Sequence, residues 1–120
     1  MSSFSTLTIL VPDLVAAQKF YCGLLGFSVE TSYGPDLIKL QHAGCSLLLG
    51  RCEHKSRPDY PLAAQITPGL AVADVDAELE RLRAAKVDLV FAQPQEFPVG
   101  RFIAARDPGG NVIELLQFNA

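Results

Sequence analysis

A single acidic residue lies within an apolar segment near the C-terminus, where the sequence reads RDPGGNVIELLQF. Glu114 has a valine and an isoleucine before it and two leucines after it. A carboxylate in such surroundings holds a proton more tightly than it does in water, which suits a general base. It can also bind a cationic or hydrogen-bond-donating group of a ligand. A third role is an internal ion pair with an arginine, for which the sequence offers Arg51, Arg101 and Arg106.

Other residues that could ligate a metal or act as nucleophiles are few and scattered. We expect His42, Glu53 and His54 to face solvent, because they lie at a strand end or in a polar stretch. The cysteines are odd in number, and their spacing fits neither a disulfide framework nor a zinc site. They are Cys22, Cys45 and Cys52.

The bulk composition favours one compact globular domain. The chain has 120 residues, of which 49% are hydrophobic and 19% are charged. Its net charge is −3 and its positive residues are scattered, so we expect no nucleic-acid partner. No apolar run is long enough to cross a bilayer, and the N-terminus lacks the features of a secretory signal. We therefore expect no membrane contact and a cytoplasmic protein.

The sequence contains a weak internal repeat. TLTILVPDLVAA, which begins at Thr6, aligns with TPGLAVADVDAE, which begins at Thr67. In each copy a short apolar segment ends in valine and is followed by an aspartate that suits a helix N-cap, Asp13 or Asp74. A helical pattern follows in both copies. The first of these helices ends near Gly26, where a left-handed residue is expected.

Each predicted helix is followed by three strand candidates separated by turn residues. They read FSVETS, LIKLQ and CSLLLG in the first half, and VDLVFAQ, RFIAAR and NVIELLQF in the second. The pattern predicts an α+β fold in which residues 1–120 form a single domain. Two tandem βαβββ modules, residues 1–52 and 65–120, are joined by a polar linker at 53–64.

Two stretches, FYCGLLGFSVE and ARDPGGNVIELLQF, resemble the signatures of the vicinal oxygen chelate superfamily. That group includes glyoxalase I, extradiol dioxygenases, fosfomycin-resistance enzymes and bleomycin resistance proteins. The resemblance implies curled mixed sheets that form a cleft, and a homodimer. In the metal-dependent members, the first and last strands of each module supply one metal ligand each. The corresponding positions are Thr6, Leu48, Thr67 and Glu114.

Glu114 alone among these four positions carries an ordinary metal ligand. A threonine hydroxyl is a poor donor to a divalent cation and leucine cannot ligate one. We therefore expect no metal cofactor. The resemblance is closest in type to the metal-free, bleomycin-resistance-like binders, which act in antibiotic resistance by sequestering a drug. With no tryptophan in the chain, we expect a ligand smaller than bleomycin.

Strand alternation indicates which residues line the predicted cleft. The predicted ligand-binding residues are Thr6, Thr8, Leu48, Thr67, Gly69, Phe102, Glu114 and Leu116. Further aromatic walls could come from Tyr33, Tyr60 and Phe97. These residues predict a small drug-like ligand with apolar or aromatic surface and a cationic or donating group. The alternative is a lyase, isomerase or dioxygenase-like enzyme that uses Glu114 as its base or holds a metal at a relocated site.

Overall fold

The protein is described by a computed structural model that covers residues 1–64 and 66–120. The chain divides into two compact units, Met1–Ser56 and Arg57–Ala120. The division falls within the segment 53–64 that the sequence indicates as a linker. In the part of the chain that the structure describes, no helix is both long and apolar enough to cross a membrane.

The first unit is a four-stranded mixed sheet with one helical segment. Strand β1 lies parallel to β4, and the strand order is β1-β4-β3-β2. Helix α1 continues directly into a π-helical stretch, Lys19–Leu24. The elements are β1 (Leu7–Val11), α1 (Leu14–Gln18), β2 (Ser28–Ser32), β3 (Leu37–His42) and β4 (Cys45–Arg51).

The second unit repeats this topology. Its strand order is β5-β9-β8-β6, with β5 parallel to β9 and a short additional strand, β7, paired to β8. The elements are β5 (Gly69–Ala71), α2 (Val75–Ala84), β6 (Asp88–Leu89), β7 (Gln95–Phe97), β8 (Gly100–Arg106) and β9 (Val112–Phe118). In both units the last strand lies between the first strand and the strand that precedes it in the chain. This shared order confirms the predicted α+β fold of two βαβββ repeats.

One predicted strand of the second unit is shorter than expected. The stretch VDLVFAQ contributes only Asp88–Leu89 to the sheet, and β7 lies in a stretch that the sequence indicates as a turn. Pro94 separates the two pieces. A proline has no N–H to donate to a strand ladder, so pairing resumes only at Gln95.

Both predicted helix N-caps are formed. The Oδ1 atom of Asp13 accepts from the Ala16 amide at 3.1 Å, and that of Asp74 accepts from the Ala77 amide at 3.1 Å. Each bond satisfies one of the free donors of the first helical turn. Gly26 adopts the predicted left-handed conformation, with φ +81°. The structure thus confirms the local signals from which the repeat was recognised.

The strand faces opposite the predicted cleft residues are buried in both sheets. Ile9, Val11, Leu47 and Leu49 are buried in the first unit, where α1 packs on β4. In the second unit α2 packs on β8 and β9. The side chains buried between the helix and the sheet come from all three elements. They are Val75, Leu79, Leu82, Ile103, Ala105, Ile113 and Leu115. We call the opposite side of this second sheet the open face.

Candidate functional site

Glu114 lies in the middle of the open face of the second sheet. Its neighbours in register are Gly69 on β5 and Ala104 on β8. The Glu114 amide donates to the Pro68 carbonyl at 2.9 Å, which fixes the backbone at this point. Both neighbours are small, and the Leu116 side chain fills the space beside Gly69, where an added Cβ atom would lie 2.8 Å from Cδ1 of Leu116.

The Tyr60 hydroxyl donates a hydrogen bond to Oε2 of Glu114. Sequence reasoning named Tyr60 only as an aromatic wall and missed this contact, which joins residues 54 positions apart. The one local signal is an aromatic side chain inside an otherwise polar, proline-containing stretch, RPDYP. In the described residues, the structure shows no hydrogen-bond partner for the second oxygen, Oε1.

Tyr60 belongs to a segment, Arg57–Ala64, that is attached to the second sheet and that we call the strap. Arg57 Nη1 contacts Asp88 Oδ2 at 2.6 Å, and Arg106 Nη2 donates to the Pro58 carbonyl at 2.9 Å. Within the strap, the amides of Ala63 and Ala64 donate to the Asp59 carbonyl. The two sheet contacts that precede Tyr60 in the chain, and the turn closed by Asp59, therefore position its ring over the open face.

None of the three predicted arginine partners forms an ion pair with Glu114 within the described residues. Arg101 Nη2 pairs with Asp76 Oδ2 at 2.7 Å, and Arg51 Nε pairs with Asp36 Oδ1 at 3.0 Å. The buried Arg106 donates to the carbonyls of Gly110, at 3.1 Å, and Pro58. Within one chain these three residues therefore do not form the predicted ion pair, and a tyrosine hydroxyl takes the place of a guanidinium.

A row of aromatic rings extends from Tyr60 across the second unit. Successive rings meet edge to face, with centroids 5.7 to 5.9 Å apart. In order the members are Tyr60, Phe91, Phe102, Phe97 and Phe118. Phe102 is the register partner of Leu116, two residues along from Glu114. We call this set the aromatic row; it places an apolar wall beside the carboxylate.

Gly100 allows the last two rings of the aromatic row, those of Phe97 and Phe118, to meet. It is the register partner of both Phe97 on β7 and Phe118 on β9. A Cβ atom at this position would lie 2.0 Å from the Gln117 carbonyl oxygen, so no other residue fits without moving the backbone. The close approach of the strands lets the two phenylalanine rings meet at 5.9 Å.

The surroundings of Tyr60 keep its phenol neutral. Loss of solvent raises the pKa of Tyr60 above its ordinary value, and the hydrogen bond to the Glu114 carboxylate and the charge of that carboxylate raise it further.

A second charged residue, Arg106, lies near Glu114. It is two residues from Ala104 along β8, on the same face of the sheet as Glu114. Diagonal neighbours of this kind lie about 7 Å apart. The site thus combines one carboxylate, one neutral donor and one buried cation.

Five of the predicted ligand-binding residues lie together in the second unit. Gly69 pairs with Glu114 and Phe102 pairs with Leu116, while Thr67 directly precedes Pro68. In the first unit, Thr8 and Leu48 are register partners and Thr6 directly precedes β1. Of the proposed aromatic walls, Tyr60 and Phe97 belong to the aromatic row. Tyr33 is an exposed residue in a turn of the first unit.

The side chains around Glu114 do not form a set of metal ligands. The nearest of the four superfamily positions, Thr67, offers only a neutral hydroxyl, and one oxygen of Glu114 already accepts from Tyr60. Over residues 1–64 and 66–120, no three His, Cys, Asp or Glu side chains cluster closely enough to hold an ion. Divalent metals in such folds need several nitrogen, sulfur or carboxylate donors. The donor chemistry therefore does not fit the metal site of glyoxalase I.

A family model for the Glyoxalase/Bleomycin resistance protein/Dioxygenase superfamily matches residues 3–115. The chain belongs to this superfamily. Among solved structures of similar fold, the antibiotic-binding protein TnmS3 from Streptomyces sp. CB03234 is 25% identical with a TM-score of 0.73, and the match covers 99% of this chain and 98% of that one. None of the curated protein sequences matches this superfamily member.

Two further structures carry different names. A lactoylglutathione lyase from Agrobacterium tumefaciens is 23% identical with a TM-score of 0.75, over 98% of this chain and 94% of that one. The fosfomycin resistance protein FosX from Listeria monocytogenes is 19% identical with a TM-score of 0.78, over 100% and 94%. At these identities the similarity establishes the fold alone.

The hydrogen bond between Tyr60 and Glu114 predicts a distinctive tyrosine titration. Because the folded protein binds the phenolic proton more tightly than the unfolded chain, this interaction stabilises the fold fully below pH about 10. The contribution is lost as the pH rises from there through the higher folded pKa. Absorbance near 295 nm should show a late-ionising step, and Tyr60→Phe should reduce its amplitude by that of one tyrosine.

The matched control is Tyr33→Phe, which removes an exposed tyrosine. It should leave the late step in place. A late step of unchanged amplitude in Tyr60→Phe would contradict the observed contact.

Proposed function

We propose that the protein is a metal-free binding protein for a small aromatic molecule, and that Glu114 and the aromatic row of the second unit form its site. The observation that carries this proposal is the half-buried Glu114 carboxylate, which has one oxygen held by Tyr60 and so lies at one end of a row of five aromatic rings. Such a combination of apolar wall and few polar groups is typical of small-molecule sites.

The two parts of the site make different contributions to binding. Aromatic pairs contribute roughly 0.5–1.5 kcal/mol each beyond the area they bury, so rings stacked on the row supply most of the affinity. A hydrogen bond to a charged group contributes about 1.5–3 kcal/mol, and it forms only when the ligand's donor points at the carboxylate oxygen. The row therefore favours aromatic ligands in general, whereas Glu114 selects those with a donor at the correct place.

The comparison with TnmS3 supports a binding role. That protein is described as antibiotic-binding, and it aligns along 98% of its own length. We propose that this chain also binds a drug-like molecule and acts by sequestration, which would confer resistance to that molecule. The donor chemistry of the described residues around Glu114, which does not fit a divalent metal, supports binding without a metal.

A second candidate function is a lyase or isomerase reaction in which Glu114 removes a proton from the substrate. The observation that favours it is the Tyr60 hydroxyl, which places a proton donor in contact with the base. Turnover without added metal, lost in Glu114→Gln, would establish this function in place of sequestration.

The binding proposal predicts that ligands stabilise the protein through Glu114. In a thermal-shift screen of bicyclic and tricyclic aromatic compounds with one hydroxyl or amine, we expect some to raise the melting temperature by several degrees. Glu114→Gln keeps the shape of the side chain but removes its charge, so affinities measured by calorimetry should fall about tenfold.

The matched control is Glu96→Gln, which neutralises an exposed carboxylate on β7. Ligand affinities should be unchanged in this variant. Equal losses in both variants would indicate a general charge effect and would refute a specific role for Glu114.

The metal-free part of the proposal has its own test. Elemental analysis of the purified protein should find no transition metal at stoichiometric level, and added Zn²⁺ or Ni²⁺ should not raise the melting temperature. One metal ion per chain, whose removal by a chelator lowers the melting temperature, would overturn it.

We also propose that the protein assembles as a homodimer, as its superfamily resemblance implies. Sedimentation velocity should then give a mass near twice the chain mass of 13.0 kDa. A mass of one chain at micromolar concentration would contradict this proposal.

A further inference from the structure

We infer that Tyr60 determines the class of ligand: the site accepts aromatic molecules that present a single hydroxyl or N–H donor, and rejects those that present an amidinium or guanidinium group. This inference rests on the proposed binding function. Tyr60, a residue of the strap, thereby distinguishes between aromatic ligands that the aromatic row alone binds equally well.

The two oxygens of Glu114 are not equally available to a ligand. Planar cations such as amidinium bind a carboxylate through two parallel N–H···O bonds, which need both oxygens. Tyr60 already donates to Oε2. Within the described residues only Oε1 is open, and one oxygen suffices for a ligand with one donor. A bidentate cation would have to displace the tyrosine hydroxyl.

Displacement of Tyr60 is opposed by its own attachments. Its ring contacts Phe91 at a centroid distance of 5.9 Å, and the strap is tied down by the contacts of Arg57 and Arg106. If the Tyr60 hydroxyl moved away from Glu114 while the ring stayed half-buried, it would lose its hydrogen-bond acceptor. It would also remain incompletely hydrated. The structure therefore favours the ligand that leaves the hydrogen bond intact.

The charge around Glu114 favours neutral ligands for a second reason. Arg106 is buried on the same face, and its described partners are two backbone carbonyls instead of a carboxylate. Its positive charge therefore partly balances that of Glu114. A cation brought to Oε1 would also approach this guanidinium, whereas a neutral hydroxyl would not be repelled.

The test uses two probes with the same ring system, 2-naphthylmethanol and 2-naphthamidine. By NMR titration the wild-type protein should bind the alcohol at least about tenfold more tightly than the amidine, as expected for one charge-assisted hydrogen bond gained or lost. Tyr60→Phe keeps the ring on Phe91 and frees Oε2. This variant should shift the alcohol-to-amidine ratio toward the amidine by at least about tenfold.

Tyr33→Phe serves as the control and should leave the ratio unchanged. An amidine that binds the wild-type protein as tightly as the alcohol overturns the inference, and this outcome does not depend on how well Tyr60→Phe folds. A folded Tyr60→Phe protein with an unchanged ratio overturns it too. If neither probe binds the wild-type protein, the proposed function fails as well. If the alcohol binds through Glu114 but Tyr60→Phe leaves the ratio unchanged, the inference alone fails.

Discussion

A carboxylate in the middle of a sheet loses water from its surroundings, and this loss is unfavourable unless a donor replaces the water. In this protein the donor is the hydroxyl of Tyr60, which the strap positions over Glu114. The strap in turn depends on Arg106 and Asp88 of the sheet that it covers. The hydrogen bond thus joins the site to the segment that precedes the second repeat. Within the described residues it also leaves a single carboxylate oxygen for a ligand.

The duplicated fold provides the same frame twice, yet the two copies differ in their chemistry. Both have an aspartate N-cap, a parallel first and last strand, and a buried sheet face under a helix. The position of Glu114 in the last strand corresponds to Leu48 in the first copy, by the superfamily resemblance. Small residues, Gly69 and Ala104, flank Glu114 in the second copy. The acid is therefore a specific feature of one sheet and not a requirement of the repeat.

Much of the fold could be predicted from local signals. Asp13 and Asp74 indicated the helix starts, and the alternation of strand residues indicated the buried faces, because both depend on neighbours close in sequence. The early end of β6 at Leu89 was missed because the apolar pattern continues through Val90 and Phe91. The partner of Glu114 was missed for a different reason. A hydrogen bond across 54 residues leaves no local pattern, and the polar composition around Tyr60 is typical of a linker.

The central claim is that an aromatic ligand lies on the aromatic row and donates to Oε1 of Glu114 while Tyr60 keeps Oε2. A crystal structure of the protein with 2-naphthylmethanol bound tests this claim most directly. We expect the hydroxyl within hydrogen-bond distance of Oε1, the naphthalene against the aromatic row, and the Tyr60 contact unchanged. A probe bound away from Glu114, or a strap displaced from the sheet with Tyr60 turned away, would contradict it.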